Sequence, residues 1–238
     1  MLRIGALACF CLLLFSSFSP IPSYTKAELL GDIDPSDHRD FDRLRSKYTS
    51  KDRAYLREDV YDAFKDMWKA ARKDGVDLII VSATRNRSYQ KGIWNRKWLT
   101  FGGDESDRAQ RILQYSSMPG TSRHHWGTDF DLNALENTYF ESGEGELVYQ
   151  WLQSHAADYG FYQPYTAFNP YRDAGYREEK WHWSYFPLAS KLQRAYQQVV
   201  EYPDLRGFMG DQYAEVLEVI NNYVMGVEAW PKKLGDTN

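Results

Sequence analysis

Cysteine is nearly missing from this chain. Of 238 residues only Cys9 and Cys11 carry thiols, and both lie in the first dozen positions. The rest of the chain therefore has no disulfide framework and no cysteine metal site. Any metal must be held by His, Asp or Glu. An excess of basic charge is also missing. The 29 Lys+Arg stand against 33 Asp+Glu, a formal net charge of -4 with a pI near 5.8, which excludes a broad basic surface for nucleic acid. No long apolar run follows residue 18, and a mean hydropathy of -0.63 excludes a polytopic membrane protein. Internal repeats, low-complexity blocks and long linkers are absent from the sequence. What remains is globular material. The chain is 43% hydrophobic and 26% charged, far from the composition of chains that stay disordered. Its length allows one or two domains at ~150 residues each.

The first 23 residues have the shape of a secretory leader. Arg3 supplies a short positive start, and Ile4 to Phe18 is an apolar run broken only by Gly5 and two serines. That run is shorter than the ~20 residues a membrane span needs. Ser19, Pro20, Pro22 and Ser23 then interrupt it, as ahead of a signal-peptidase site. The expectation is a signal peptide over 1–23, a mature protein secreted or periplasmic in a bacterial cell envelope, and no stable membrane span after its removal.

From residue 24 to 238 the pattern reads as a single α+β domain. Leu56, Val60, Phe64, Met67, Trp68 and Ala71 recur at helical spacing and Gly75 follows as a C-cap, so the spacing predicts a helix over 56–74. Val76 to Val81 reads as a short buried strand ending at Ser82. Helices are expected over 88–98, 106–115 and 147–156, the last stopped at Gly160, and further helices over 188–202 and 209–226. Thr128 to Leu132 and Trp181 to Phe186 are strand candidates. Helices at both ends around a few short strands suggest a small, mainly antiparallel sheet flanked by helices. The motif-bearing core spans 76–186, with a helical C-terminal extension over 188–238.

The chemistry concentrates around three of five histidines. His38 and His155 have nothing resembling ligand companions nearby. By contrast, Pro119-Gly-Thr-Ser-Arg-His124-His125-Trp-Gly127-Thr-Asp129-Phe-Asp131 runs from a turn through a histidine and a glycine into a strand with alternate carboxylates. His124 on the loop and Asp131 on the strand are natural zinc ligands, and Gly127 permits the tight turn between them. A polar loop beside a strand is the plain alternative. The second stretch is Glu178-Glu179-Lys180-Trp181-His182-Trp183. On a straight strand Glu179 and His182 would not share a face, and a turn between them would let both converge on one ion. Neither stretch contains the helical H-E-x-x-H of the zincins.

These residues resemble the VanY-like zinc D-alanyl-D-alanine carboxypeptidases, relatives of the VanX dipeptidases. That family carries S-x-H-x-x-G-x-A-x-D and, about 50 residues later, E-x-W-H. Ser122, His124, Gly127 and Asp131 match the first pattern, and Glu179, Trp181 and His182 match the second. Ser82-Ala-Thr-Arg85 with Gln90 is similar to a third family element, S-G-Y-R followed by glutamine. The departures are Asp129 for the family's alanine, Ala83-Thr84 for its Gly-Tyr, and Lys180 for the proline of E-P-W-H. The resemblance implies one zinc ion on His124, Asp131 and His182, with Glu179 as general acid/base. It also implies that Arg85 contacts the substrate near the scissile carbonyl. Ser122 is a substrate hydrogen-bonding candidate, equally readable as a turn residue. His125 is out of position for the metal, and Glu178 is one residue out of register and reads as a solvated charge. If 128–132 is extended, Asp129 shares a face with Asp131. There it would accept the free ring N–H of a ligand histidine or pair with Arg85, unless a bulge turns it into solvent. The implied activity is hydrolysis of peptidoglycan stem peptides, with removal of a terminal D-alanine foremost. A lysin-type cell-wall endopeptidase and a non-catalytic zinc-holding cell-wall-binding domain are the alternatives.

Overall fold

The computed structural model describes residues 24–230; the expected leader over 1–23 lies outside the described residues. The chain starts with a short helix, α1 (Lys26–Leu30), closed by a capping box between Thr25 and Glu28. A two-stranded antiparallel ribbon follows, β1 (Phe41–Arg43) with β2 (Tyr55–Arg57). Helix α2 (Glu58–Lys73) carries Glu58 and Asp59 in its first turn and Arg72 and Lys73 in its last, each sign complementing the helix dipole. It buries Val60, Phe64, Met67 and Ala71, one stripe at helical spacing. Next come β3 (Ile80–Ser82), α3 (Arg87–Thr100) capped by Asn86, and α4 (Glu105–Leu113) capped by Asp104. The remaining elements are β4 (Asp129–Leu132), α5 (Gly143–His155), β5 (Phe161–Tyr162), β6 (His182–Tyr185), α6 (Phe186–Val199) and α7 (Tyr213–Val216). No helix among the described residues is long and apolar enough to cross a membrane.

Strands β3, β4, β6 and β5 form one sheet in that spatial order, every pair antiparallel. In the β4–β6 pair Asp129 faces Ser184, Phe130 faces Trp183 and Asp131 faces His182. Side chains alternate across a strand. This register therefore sends Phe130 and Trp183 into a core with Phe64, Met67, Ile80 and Leu152. Asp129, Asp131, His182 and Ser184 go to the opposite face. A second core lies beyond that face, built from Leu29, Trp94, Trp126, Leu192, Tyr196 and Leu205 among others. The polar row is thus roofed by a separate hydrophobic assembly.

Between α4 and β4 the chain makes a short 3₁₀ turn, Arg123–Trp126, ended by Gly127 at φ 71°. A side chain at Gly127 would be strained by that φ and would collide with the Phe41 ring. The turn is held from both chain ends. Trp126 Nε1 donates to the Leu29 carbonyl at 3.1 Å, and Arg57 Nε donates to the Trp126 carbonyl at 2.8 Å. The Tyr196 hydroxyl of α6 donates to the Gly120 carbonyl at 2.8 Å.

The structure departs from the sequence reading in several places, among them the following. The ribbon β1–β2 precedes α2, which starts at Glu58 rather than 56. Strand β3 begins only at Ile80, because Ile79 N–H is taken by the Asn133 side chain. The helix expected over 209–226 is broken into α7 and a π turn, Ile220–Val224. The break falls at Glu218, which adopts a left-handed φ of 47°.

Candidate metal centre

Asp131 and His182 meet as cross-strand neighbours, and His124 comes down on them from the 3₁₀ turn. Asp131 Oδ1 lies 3.3 Å from His124 Nε2 and 3.3 Å from His182 Nδ1. One ligand atom of each residue falls within 4.8 Å of the others, and all three residues are buried. Asp131 Oδ1 nonetheless has no hydrogen bond among the described residues. The spacing is that of ion contacts, yet neither neighbour satisfies Asp131 Oδ1 with a hydrogen bond. Ligands ~2.0–2.1 Å from a tetrahedral ion sit ~3.3 Å apart, so this set fits zinc.

The outer ring nitrogens are spoken for, and this decides the tautomers. His124 Nδ1 lies 2.9 Å from the Ala83 carbonyl, which can only accept, so Nδ1 carries the hydrogen and Nε2 keeps a free lone pair. His182 Nε2 lies 3.0 Å from Asp129 Oδ2. Arg123 and His182 hold the Asp129 carboxyl far below its usual range against the upward push of burial. It is therefore an acceptor, and His182 Nδ1 faces the centre bare. Asp129 is in turn gripped by Arg123 Nε at 2.8 Å, Thr128 Oγ1 at 2.6 Å and Ser184 Oγ at 2.9 Å. Arg123 also donates to Ser184 Oγ and to Gln193 Oε1. Burial alone would lower the His182 pKa, yet the surrounding carboxylates of Asp129, Asp131 and Glu179 raise it well above the ordinary value. The field here favours a cation.

Glu179 reaches the centre through the turn that the sequence reading allowed: His182 N–H donates to the Glu179 carbonyl at 3.2 Å. Its Oε2 stands 3.3 Å from His182 Nδ1, and burial raises its pKa despite the pull of His182. Arg85 Nη1 lies 3.9 Å from Asp131 Oδ2 and donates to Ser82 Oγ at 3.2 Å, while its Nε has no partner among the described residues. Ser122 Oγ is buried and equally without one. Glu179, Arg85 and Ser122 line a cleft of about 670 Å³ together with His124, Asp131 and His182, within the usual range for small-ligand sites.

Two expectations are sharpened. Asp129 pairs with Arg123, not Arg85, and Arg123 is a residue that the sequence reading did not single out. His125 is held away from the His124–Asp131–His182 cluster as a neutral wedge: Nδ1 donates to the Arg85 carbonyl at 2.6 Å, Nε2 accepts from Gly120 N–H at 3.1 Å, and burial pushes its pKa down to about 3. A second group, Glu28, His38 and Asp40, also brings ligand atoms together. There the Arg57 guanidinium already supplies the cation, 3.0 Å from Glu28 and 3.2 Å from Asp40.

A family model described as VanY, D-alanyl-D-alanine carboxypeptidase, matches residues 53–188. The chain belongs to the VanY family. A D-alanyl-D-alanine carboxypeptidase of Enterococcus faecalis is 30% identical over 126 residues, covering 51% of this chain and 44% of that protein. The chain spans about half the length of the curated relatives it matches. Among solved structures, VanYB in complex with D-alanine-D-alanine aligns with a TM-score of 0.52 at 22% identity, over 74% of this chain and 87% of that one. A VanY variant from a VanB-type resistance cassette in complex with Zn(II) aligns at 0.50 and 22%, over 72% and 93%. At that identity the likeness establishes the fold: mixed helix and antiparallel sheet in one domain, with a His/Asp metal-binding candidate.

Proposed function

We propose that this chain is a secreted zinc metallopeptidase of the cell envelope that removes the terminal D-alanine from peptidoglycan stem peptides. The observation that carries this reading is the convergence of His124 Nε2, Asp131 Oδ1 and His182 Nδ1, with Glu179 Oε2 beside them, on the floor of one cleft. The VanY family membership supports the substrate class, and the relative crystallised with Zn(II) supports the metal. Arg3 and the apolar run after it support export through a leader over 1–23.

His124, Asp131 and His182 would hold one zinc ion. When bound, zinc lowers the pKa of a water molecule to about 7 and polarises a carbonyl oxygen. Glu179 stands beside the ligand atoms, and burial raises its pKa in the direction that makes it a stronger base. At Oε2 it takes the proton of the attacking water and returns it to the amine nitrogen as the peptide C–N bond breaks. Arg85 offers a fixed charge and a free Nε for the developing oxyanion or the terminal carboxylate. Ser122 Oγ, buried without a partner, donates to the peptide backbone. Asp129 accepts His182 Nε2–H and keeps the other nitrogen aimed at the metal.

The test is incubation with a defined pentapeptide ending in D-Ala-D-Ala, followed by mass analysis. Loss of one alanine supports the proposal. Internal cleavage assigns a lysin-type endopeptidase instead, and an unchanged peptide with metal-loaded protein overturns the enzyme reading in favour of a binding domain.

A further inference from the structure

Helix α3 presents Gln90, Ile93 and Lys97 to the cleft, a row at spacings of three and four that forms a single helical face. Gln90 marks the deep end: it is 1% exposed and donates to the Ser117 carbonyl at 2.7 Å. Lys97 lies seven residues on, roughly 10 Å farther along the axis at ~1.5 Å per residue. That is about three residues of an extended peptide.

The other cations on the lining already have carboxylate neighbours. Arg123 pairs with Asp129 at 2.8 Å, and Arg85 lies 3.9 Å from Asp131. Lys97 has no ion pair or side-chain hydrogen bond among the described residues, although it is half-buried. The charged groups that act on it are Glu179, on the cleft floor, and Arg85, which repels it. Glu136, the remaining carboxylate of the lining, is exposed and makes no ion pair with it. A partly dehydrated ammonium with no ion-pair partner in contact is a receptor for an anion, and the anion a peptide carries is a carboxylate.

We propose that Lys97 is a specificity-determining residue that binds a second carboxylate of the peptide substrate, carried about three residues from the end of the peptide that lies against Gln90. This rests on the peptidase reading for the identity of the ligand. The burial that lowers the Lys97 pKa also strengthens its attraction to an anion.

Two peptides test it, identical except that one side-chain carboxylate at that distance is free in the first and amidated in the second. The wild-type protein should favour the free acid about 5- to 30-fold in kcat/KM, the range for a part-exposed hydrogen bond to a charged group. Lys97→Met should bring that ratio close to one, Lys97→Arg should keep most of it, and added salt should shrink it. Calorimetry of both peptides on the Glu179→Ala protein gives the same comparison without turnover. An equal ratio in wild type and Lys97→Met overturns the proposal. If wild type cleaves neither peptide, but a binding ratio exists that Lys97→Met abolishes, the Lys97 site stands and the peptidase reading falls. If both peptides are cleaved at a ratio of one, the peptidase stands and the Lys97 site falls.

Discussion

Replacing Asp129 by alanine restores the residue that the VanY-like pattern usually carries, yet it should damage this protein twice. The carboxylate neutralises Arg123, whose side chain is wholly buried, through a 2.8 Å contact. Removing one partner of a buried ion pair costs ~3–5 kcal/mol because the other charge is left uncompensated. For a chain of this size that is a fall in Tm of roughly 6–20 °C. The same carboxylate accepts His182 Nε2–H at 3.0 Å, and loss of such a partner typically weakens metal binding ~10- to 100-fold. The two effects separate in the double variant Arg123→Met/Asp129→Ala. Deleting both charges should recover most of the stability, since an apolar replacement of a buried pair is often neutral. It should leave zinc affinity depressed. Melting is read in chelator, so that bound metal does not add to it, and zinc affinity by competition with a chromophoric chelator. An Asp129→Ala protein that melts and binds zinc like wild type would refute the reasoning. So would a double variant that regains zinc affinity along with stability.

His182→Ala should lose most of its zinc on metal analysis, and full occupancy would exclude His182 as a ligand. Glu179→Ala should keep the metal while turnover falls ~100- to 10,000-fold, the usual worth of general acid/base catalysis. If Glu178→Ala did that damage instead, the register of the motif would be wrong by one. Glu28→Gln probes the acid limb of stability. Burial opposes the charge of Glu28, but Thr25 and Arg57 outweigh it and hold the pKa below its ordinary value. Its contribution is therefore complete above about pH 4.5 and drains as pH falls through the lowered value. Urea unfolding should find Glu28→Gln ~1.5–3 kcal/mol less stable at pH 7, through the weakened hydrogen bond to Arg57. The gap should narrow toward pH 3, and a gap that widened there would reverse the sign argued.

The sequence disclosed those parts of the molecule whose signal is local. Helix α2 is legible because Val60, Phe64, Met67 and Ala71 recur over about three turns. The ligand candidates are legible because zinc restricts residue type and because Gly127 marks the turn between two of them. The ribbon β1–β2 is not, since strands of three residues are too short to show a period of two. The helix expected over 209–226 misleads for the opposite reason. Val219, Ile220 and Val224 satisfy helical spacing and are buried, but Glu218 turns left-handed between them and α7. Arg123 is the instructive omission. A charged residue beside a turn reads as surface, and nothing local says that Ser184, 61 positions away, and Gln193 on α6 will enclose it.

The braces on the 3₁₀ turn bear on where this protein can be cut. The stretch that matches the family, 53–188, contains the three ligand candidates and Glu179. It excludes Leu29, which receives Trp126, and Tyr196, which holds Gly120. It also excludes Glu28 and Asp40, leaving the buried Arg57 guanidinium stranded, and Gln193, leaving Arg123 one partner short. A fragment trimmed to the shared segment would keep the chemistry on paper and lose the scaffolding that aims it. The segment that the family model matches and the smallest autonomous folding unit have different borders in this chain, and the flanks outside the match are what close the gap.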